Sequence, residues 1–185
     1  SDFLAVNLAN LGAKKADRYM SREVHHYVNL TKEVPEVRTE VTIRYPGFTN
    51  AYSDNYKGYL RVLVPGNATV TENPLDSRVE RTGDLTAVGT KIILPAGGKT
   101  TLSYTYTLPR TLLAAGQYKL RLARQSGNAT LYHITAETAQ DTTIASEDFE
   151  ATENRATWTG LLESDLDLNL TTLPDLTPPY PIEQE

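Results

Sequence analysis

The sequence predicts an all-β chain: an antiparallel β-sandwich, immunoglobulin-like in architecture, with about nine to ten strands and minimal helix. Three observations predict it. Apolar and polar residues alternate with period two in many short runs, which puts every second side chain on one face of a strand. Gly/Pro clusters separate those runs at roughly eight- to twelve-residue spacing. Strand-favouring residues are abundant: there are 11 tyrosines and a single methionine, and threonine is frequent.

Taken in order, Asp2 to Leu11 is dense in apolar residues and reads as helical, as does the shorter Asp148 to Arg155. Arg38 to Tyr45 puts Val41, Ile43 and Tyr45 on one face, and Gly58 to Pro65 does the same with Leu60, Val62 and Val64. Lys91 to Leu94 is a compact apolar run. Thr100 to Pro109 alternates Leu102, Tyr104, Tyr106 and Leu108 against Ser and Thr. Gln117 to Arg124 alternates Tyr118, Leu120 and Leu122 against Lys119, Arg121 and Ala123. Asn128 to Glu137 alternates through Leu131 and His133 or through Tyr132 and Ile134. Pro95-Ala-Gly-Gly-Lys99 reads as a tight hairpin turn, with further turns at Pro65-Gly-Asn67, Asn73-Pro74 and Gln125-Ser-Gly-Asn128. The Cys pair and central Trp of true immunoglobulin domains are missing, so only the architecture is shared.

The 185 residues, 39% hydrophobic and 22% charged, suit one domain with its own core. Residues 1–20 are expected to be an entry segment from a preceding region, 21–172 the sandwich, and 173–185 a Pro-rich acidic tail. The net charge of −5 and pI near 5.3 exclude a nucleic-acid partner, which needs a Lys/Arg excess. The absence of cysteine excludes disulfides, thiolate catalysis and Cys-ligated zinc. The longest stretch without a charged residue, Gln125 to Ala136, is too short to span a bilayer, so this segment itself is expected to make no membrane contact.

Charge is unevenly placed. From Glu147 onward there are ten carboxylates and one base, Arg155, interleaved with Trp158, Leu161, Leu162, Leu166, Leu168 and Leu170. Such a segment can be a terminal strand or an acidic strap, but its apolar residues must be buried somewhere. Asp165-x-Asp167-x-Asn169 opens like a calcium loop, yet Leu170 and Leu176 stand where that loop needs Gly and a bidentate Glu. A strand with Leu166, Leu168 and Leu170 inward fits better.

At this point the order of motifs becomes recognisable. Asn10-Leu-Gly-Ala-Lys-Lys-Ala-Asp-Arg-Tyr19, Ser21-Arg-Glu-Val24, Tyr59-Leu-Arg-Val-Leu-Val-Pro-Gly66, Leu94-Pro-Ala-Gly-Gly, Tyr104-Thr-Tyr-Thr-Leu-Pro109 and Tyr118-Lys-Leu leading into Arg124-Gln-Ser-Gly127 follow one another. This resembles the C-terminal region of the bacterial family called domain of unknown function 4012, over about Asn7 to Glu137. Ser126 stands where the family more often has proline. The resemblance implies an extracellular or cell-surface domain, tethered through an N-terminal membrane helix in a larger bacterial protein. It also implies a cell-envelope polysaccharide or another envelope protein as partner, and it brings no known activity.

Chemistry is sparse at the level of motifs. No G-x-S-x-G, P-loop or H-E-x-x-H occurs, so no catalytic residues and no cofactor are expected. Of the three histidines, His25 and His26 are adjacent and point to opposite faces of a strand, so the three are read as structural and no metal site is assigned. Pro46 to Gly58 carries Phe48, Asn50, Tyr52, Asn55 and Tyr56, the aromatic faces and amides that a sugar-binding loop uses. Asn10, Lys14, Lys15 and Asp17 form a polar entry cluster suited to pinning the segment or contacting a small anion. Four N-x-T sequons begin at Asn29, Asn67, Asn128 and Asn169, each near an expected strand end. The leading expectation is a non-catalytic extracellular β-sandwich domain with a structural or interaction role. The alternatives are a carbohydrate-binding module using the tyrosine loop and, less favoured, a glycan-active enzyme with two facing acids.

Overall fold

The computed structural model describes residues 1–12, 19–47, 55–111, 116–127, 129–140 and 142–174. They form an all-β sandwich of fourteen strands, more than the nine to ten expected. The strands are β1 (Asp2–Asn10), β2 (Ser21–Asn29), β3 (Glu36–Tyr45), β4 (Tyr56–Pro65), β5 (Thr69–Glu72), β6 (Arg78–Thr82) and β7 (Leu85–Leu94). They continue with β8 (Gly98–Thr107), β9 (Gln117–Ala123), β10 (Leu131–Glu137), β11 (Thr142–Ala145), β12 (Glu150–Thr152), β13 (Arg155–Leu161) and β14 (Leu166–Pro174).

One seven-stranded sheet runs β11-β14-β9-β1-β4-β7-β6 and the other β12-β13-β10-β2-β3-β8-β5. Each position in one order is matched in the other by the strand next to it in sequence: β9 by β10, β1 by β2, β4 by β3, β7 by β8. The chain therefore zigzags between layers. Only the β2–β3, β6–β7 and β12–β13 connections stay within a sheet among the described strands. Neighbours are antiparallel except for one parallel pair in each sheet, β1–β9 and β2–β10, at its centre. The sheets are thus mixed, where a purely antiparallel pairing was expected.

The zigzag explains the turns. Pro95-Ala96-Gly97 is as tight as anticipated, with Gly98 N–H donating to the Pro95 carbonyl at 2.8 Å, but it lifts the chain from one sheet to the other instead of closing a hairpin. Its partner is the Pro46–Gly47 bend, whose carbonyl at Pro46 accepts from Gly97 N–H at 3.1 Å. Gly47 has φ +67, and a Cβ there would lie 2.3 Å from Ala96 Cβ, so only glycine fits.

Period-two burial holds along the strands where it was read, with Leu102 only partly buried. Val41, Ile43, Leu60, Val62, Val64, Tyr104, Tyr106, Leu108, Tyr118, Leu120 and Leu122 all point into the core. On β10 it is Tyr132 and Ile134 that face in, leaving Leu131 and His133 outside. Two expectations are corrected. Asp2–Asn10 is not helical: it is a strand held between β9 and β4, with Leu4, Val6 and Leu8 buried. It belongs to the sandwich, which therefore starts at Asp2 and not at residue 21. Pairing on both edges overrides the local apolar density that suggests a helix. Asp148 to Arg155 is likewise the hairpin between β12 and β13, turning at Glu153 with φ 30.

The acidic segment packs as strands. β14 pairs antiparallel with β9 and buries Leu168 and Leu170, while Leu166 and Trp158 lie partly buried against the same core. Its acids face out. Arg121 bonds Asp167 at 3.3 Å and Asp165 at 3.4 Å, and Asp165 accepts the Arg124 N–H at 2.9 Å. Residues 175–185 of the expected tail lie outside the described residues. No helix of the described residues is long and apolar enough to cross a membrane.

Candidate functional site: two polar clusters on opposite faces of one strand

Strand β2 alternates its polar side chains between two environments. Arg22 and His26 point inward with Val24 and Val28; Glu23, His25 and Tyr27 point outward. The buried side chains would be costly without partners; the fold supplies hydrogen bonds to most of them, while His26 Nε2 is left with only the nearby charge of Asp2.

Inside, the Asp2 carboxyl on β1 is fully buried. Tyr118 of β9 donates to its Oδ2 at 2.7 Å, Tyr106 of β8 to its Oδ1 at 3.3 Å, and the Phe3 N–H to Oδ1 at 2.7 Å. His26 places Nε2 3.6 Å from Asp2 Oδ2 and is hydrogen-bonded through Nδ1 to Thr39 of β3 at 2.9 Å. The cluster therefore bonds one sheet to the other. Burial is the main cause that pushes the Tyr106 and Tyr118 phenols well above their ordinary value, and the charge of Asp2 adds to it. Burial also pushes Tyr104 and Tyr132 up to about 12. A second bridge joins Arg22, which donates to Gln125 Oε1. The Gln125 amide brackets Leu8, accepting from its N–H at 2.8 Å and donating to its carbonyl at 2.9 Å.

Outside, the parallel register pairs His133 of β10 directly with His25 of β2. Their rings stack with centroids 4.4 Å apart and planes 15° from parallel. Both rings turn an Nε2 toward one oxygen: Glu23 Oε1 is 2.9 Å from His25 Nε2 and 3.4 Å from His133 Nε2. The shorter contact is a hydrogen bond; the longer is within ion-pair reach but not aligned as one, and His133 Nε2 has no hydrogen-bond partner and is shielded from solvent. His133 Nδ1 is hydrogen-bonded to Thr159 Oγ1 on β13 at 3.2 Å. The Glu23 carboxyl is held below the ordinary carboxylate range, first by the His25 hydrogen bond; burial opposes this, and the fields of His25, His133 and Arg44 reinforce it.

The residues nominated from sequence fall elsewhere. Asn10 ends β1 and uses Oδ1 to accept the Gly12 N–H at 2.8 Å, a local turn bond. Lys14, Lys15 and Asp17 lie outside the described residues, as do Phe48, Asn50 and Tyr52. Asn55 is exposed beside β4. Tyr56 is corrected: it is the first residue of β4, 2% exposed, with its ring 5.8 Å from that of Tyr45 in the core, and so cannot serve as a surface platform. The Glu23–His25–His133 group was missed. The visible signal was that His133 alternates with Tyr132 and Ile134, and that Glu23 and His25 share the strand face opposite Val24 and Val28; which strands adjoin was not written locally.

Two mixed, seven-stranded sheets closed over an apolar and tyrosine-rich core define the class: an all-β sandwich with a zigzag connection order. No family model matches this chain, and no curated protein matches it. Among solved structures, a proposed nutrient-binding protein from Legionella pneumophila is similar over 92% of this chain and 71% of its own, at 10% identity and a TM-score of 0.51. Legionella pneumophila aminopeptidase A in complex with aspartic acid is similar over 89% of this chain but only 22% of its own, at 16% identity and a TM-score of 0.41. An M1 zinc metallopeptidase from Deinococcus radiodurans shows 12% identity and a TM-score of 0.42 over 83% of this chain and 42% of its own. The first likeness is one of fold alone, and the other two carry no functional argument.

Proposed function

We propose that this chain is a non-catalytic β-sandwich domain of a larger membrane-anchored bacterial envelope protein, with a structural or interaction role outside the cell. The observation that carries the non-catalytic reading is where the interior polar chemistry goes. Asp2, His26, Tyr106 and Tyr118 are tied to one another across the two sheets, and Arg22 and Gln125 tie a strand to a turn. Groups committed to such bonds stabilise a scaffold and are not presented to a substrate. The envelope setting is supported by the motif order from Asn7 to Glu137. The test has two arms. Antibodies raised against this domain should label intact cells of the native host, and labelling only after lysis would overturn the extracellular reading. The purified chain should not be retained on an array of cell-envelope polysaccharides. Retention abolished by Tyr52→Ala would replace the structural role with carbohydrate binding.

A further inference from the structure

We propose that Glu23, His25 and His133 form a surface site for a borderline divalent transition ion such as Zn2+, with two imidazoles and one carboxylate as ligands. The three donor atoms all lie within 4.8 Å of one another. Zinc bound at about 2.0–2.1 Å to N and O ligands in a tetrahedron sets its ligands roughly 3.3 Å apart. The two separations to Glu23 Oε1, 2.9 and 3.4 Å, bracket that spacing.

Two further features favour an ion over a purely structural cluster. His133 Nδ1 is engaged by the Thr159 hydroxyl, the arrangement in which a ligating histidine gives its other ring nitrogen to a neighbour and keeps the first free for metal. His133 Nε2 is shielded from water, has no hydrogen-bond partner and faces the cluster, so a group there lacks the bond that an ion would supply. Two imidazoles with one carboxylate select a borderline ion over calcium or magnesium, which take oxygen shells.

The stacked rings also say what binding must change. Each Nε2 lone pair lies in its own ring plane, and planes only 15° apart at 4.4 Å do not converge on one point. One ring must tilt out of the stack, which the open face of the sheet permits because both side chains are about one-third exposed. The remaining coordination positions then face outward, where water or a ligand from a partner completes the shell.

Zn2+ itself is the probe, added to the metal-free chain. Calorimetry should show saturable binding of one equivalent. His25→Gln, His133→Gln and Glu23→Gln should each weaken it by at least about tenfold, and Thr159→Val by roughly tenfold through loss of the Nδ1 partner. These positions lie on the outer face, so thermal melts should confirm folded variants. The wild type provides a second readout that needs no variant. In a Zn2+ titration followed by NMR, the ring-proton signals of His25 and His133 should shift while those of buried His26 stay in place. No saturable binding, unmoved His25 and His133 signals, or binding unchanged in His25→Gln and His133→Gln would overturn the site.

Discussion

His25 and His26 are consecutive on one strand and lie in two different solvents. His26 is completely buried among Asp2, Thr39 and the phenols of Tyr106 and Tyr118. His25 lies a third exposed over Glu23 and against the ring of His133. The residue types are nearly the same, a histidine and a carboxylate with hydroxyl neighbours, but the energetic role differs. Inside, every donor and acceptor gives up water on folding, so bonds between the sheets are made once and a broken one is left uncompensated. Outside, each side chain is about one-third exposed and water competes for most of the groups, so the same contacts add little to stability and remain open to exchange with a ligand. Damage to the inner cluster should therefore be read in stability, and damage to the outer one in binding.

The largest expected effect tests the inner side as a whole. Tyr104, Tyr106, Tyr118 and Tyr132 are all held protonated by burial. Below the ordinary tyrosine value near 10 the folded and unfolded chains bind the same phenolic protons, and the stability is fully present. Above it the unfolded chain releases protons that the fold retains, so stability falls by about 1.4 kcal/mol per phenol for each further pH unit. For four phenols the loss at pH 11 is about 5 kcal/mol, comparable to the whole stability of many domains. Phenolate absorbance from these tyrosines should appear together with unfolding. A smooth titration of all the tyrosines near pH 10, with native near-ultraviolet dichroism retained, would break the comparison.

Asp2→Ala is expected to cost about 3–5 kcal/mol, because it leaves the Tyr118 and Tyr106 hydroxyls and the Phe3 N–H without their acceptor in a dry site. Denaturant unfolding checks it. A cost under about 1 kcal/mol would mean that the sheets are held by apolar packing alone, and that the inner cluster is as dispensable as an exposed one.

The same inside–outside alternation sets what was legible in the sequence. Period two tells which side chains share a face, and so the inward faces of β3, β4, β8 and β9 could be read directly. The outward direction of His25 relative to His26 follows from the same rule. Period two does not tell which strand lies alongside. His25 and His133 meet only because β2 and β10 pair in parallel, a register created by the layer-to-layer path of the chain and not by any local signal. Turn chemistry has the same limit: Pro95-Ala-Gly-Gly specifies a tight reversal, but a hairpin and a step between sheets use the same residues. β1 was hidden for another reason. Phe3, Ala5 and Ala9 add apolar residues beside Leu4, Val6 and Leu8, with Asn7 the one polar break, and a mostly apolar run of that length fits a helix or a doubly flanked strand equally well. Asp2, the residue that locks the sheets together, was correspondingly invisible.

The smallest expected effect belongs to the outer cluster. Glu23 has a folded-state value below the ordinary carboxylate one, so its contribution to stability is present above that ordinary value and is lost as pH falls through the lowered one. Glu23, His25 and His133 are each about one-third exposed, and screening limits what their pairing adds. Glu23→Gln should therefore cost less than about 1 kcal/mol at pH 7. That cost should shrink further in high salt. It should also fade at strongly acid pH, once protonation removes the charge from the wild type as well. Denaturant unfolding of both proteins at the two pH values, in low and high salt, makes the measurement. A loss of several kcal/mol that survives salt would mean that the outer carboxylate holds the sheet together much as Asp2 joins the two sheets. The two faces of β2 would then differ in exposure without differing in role.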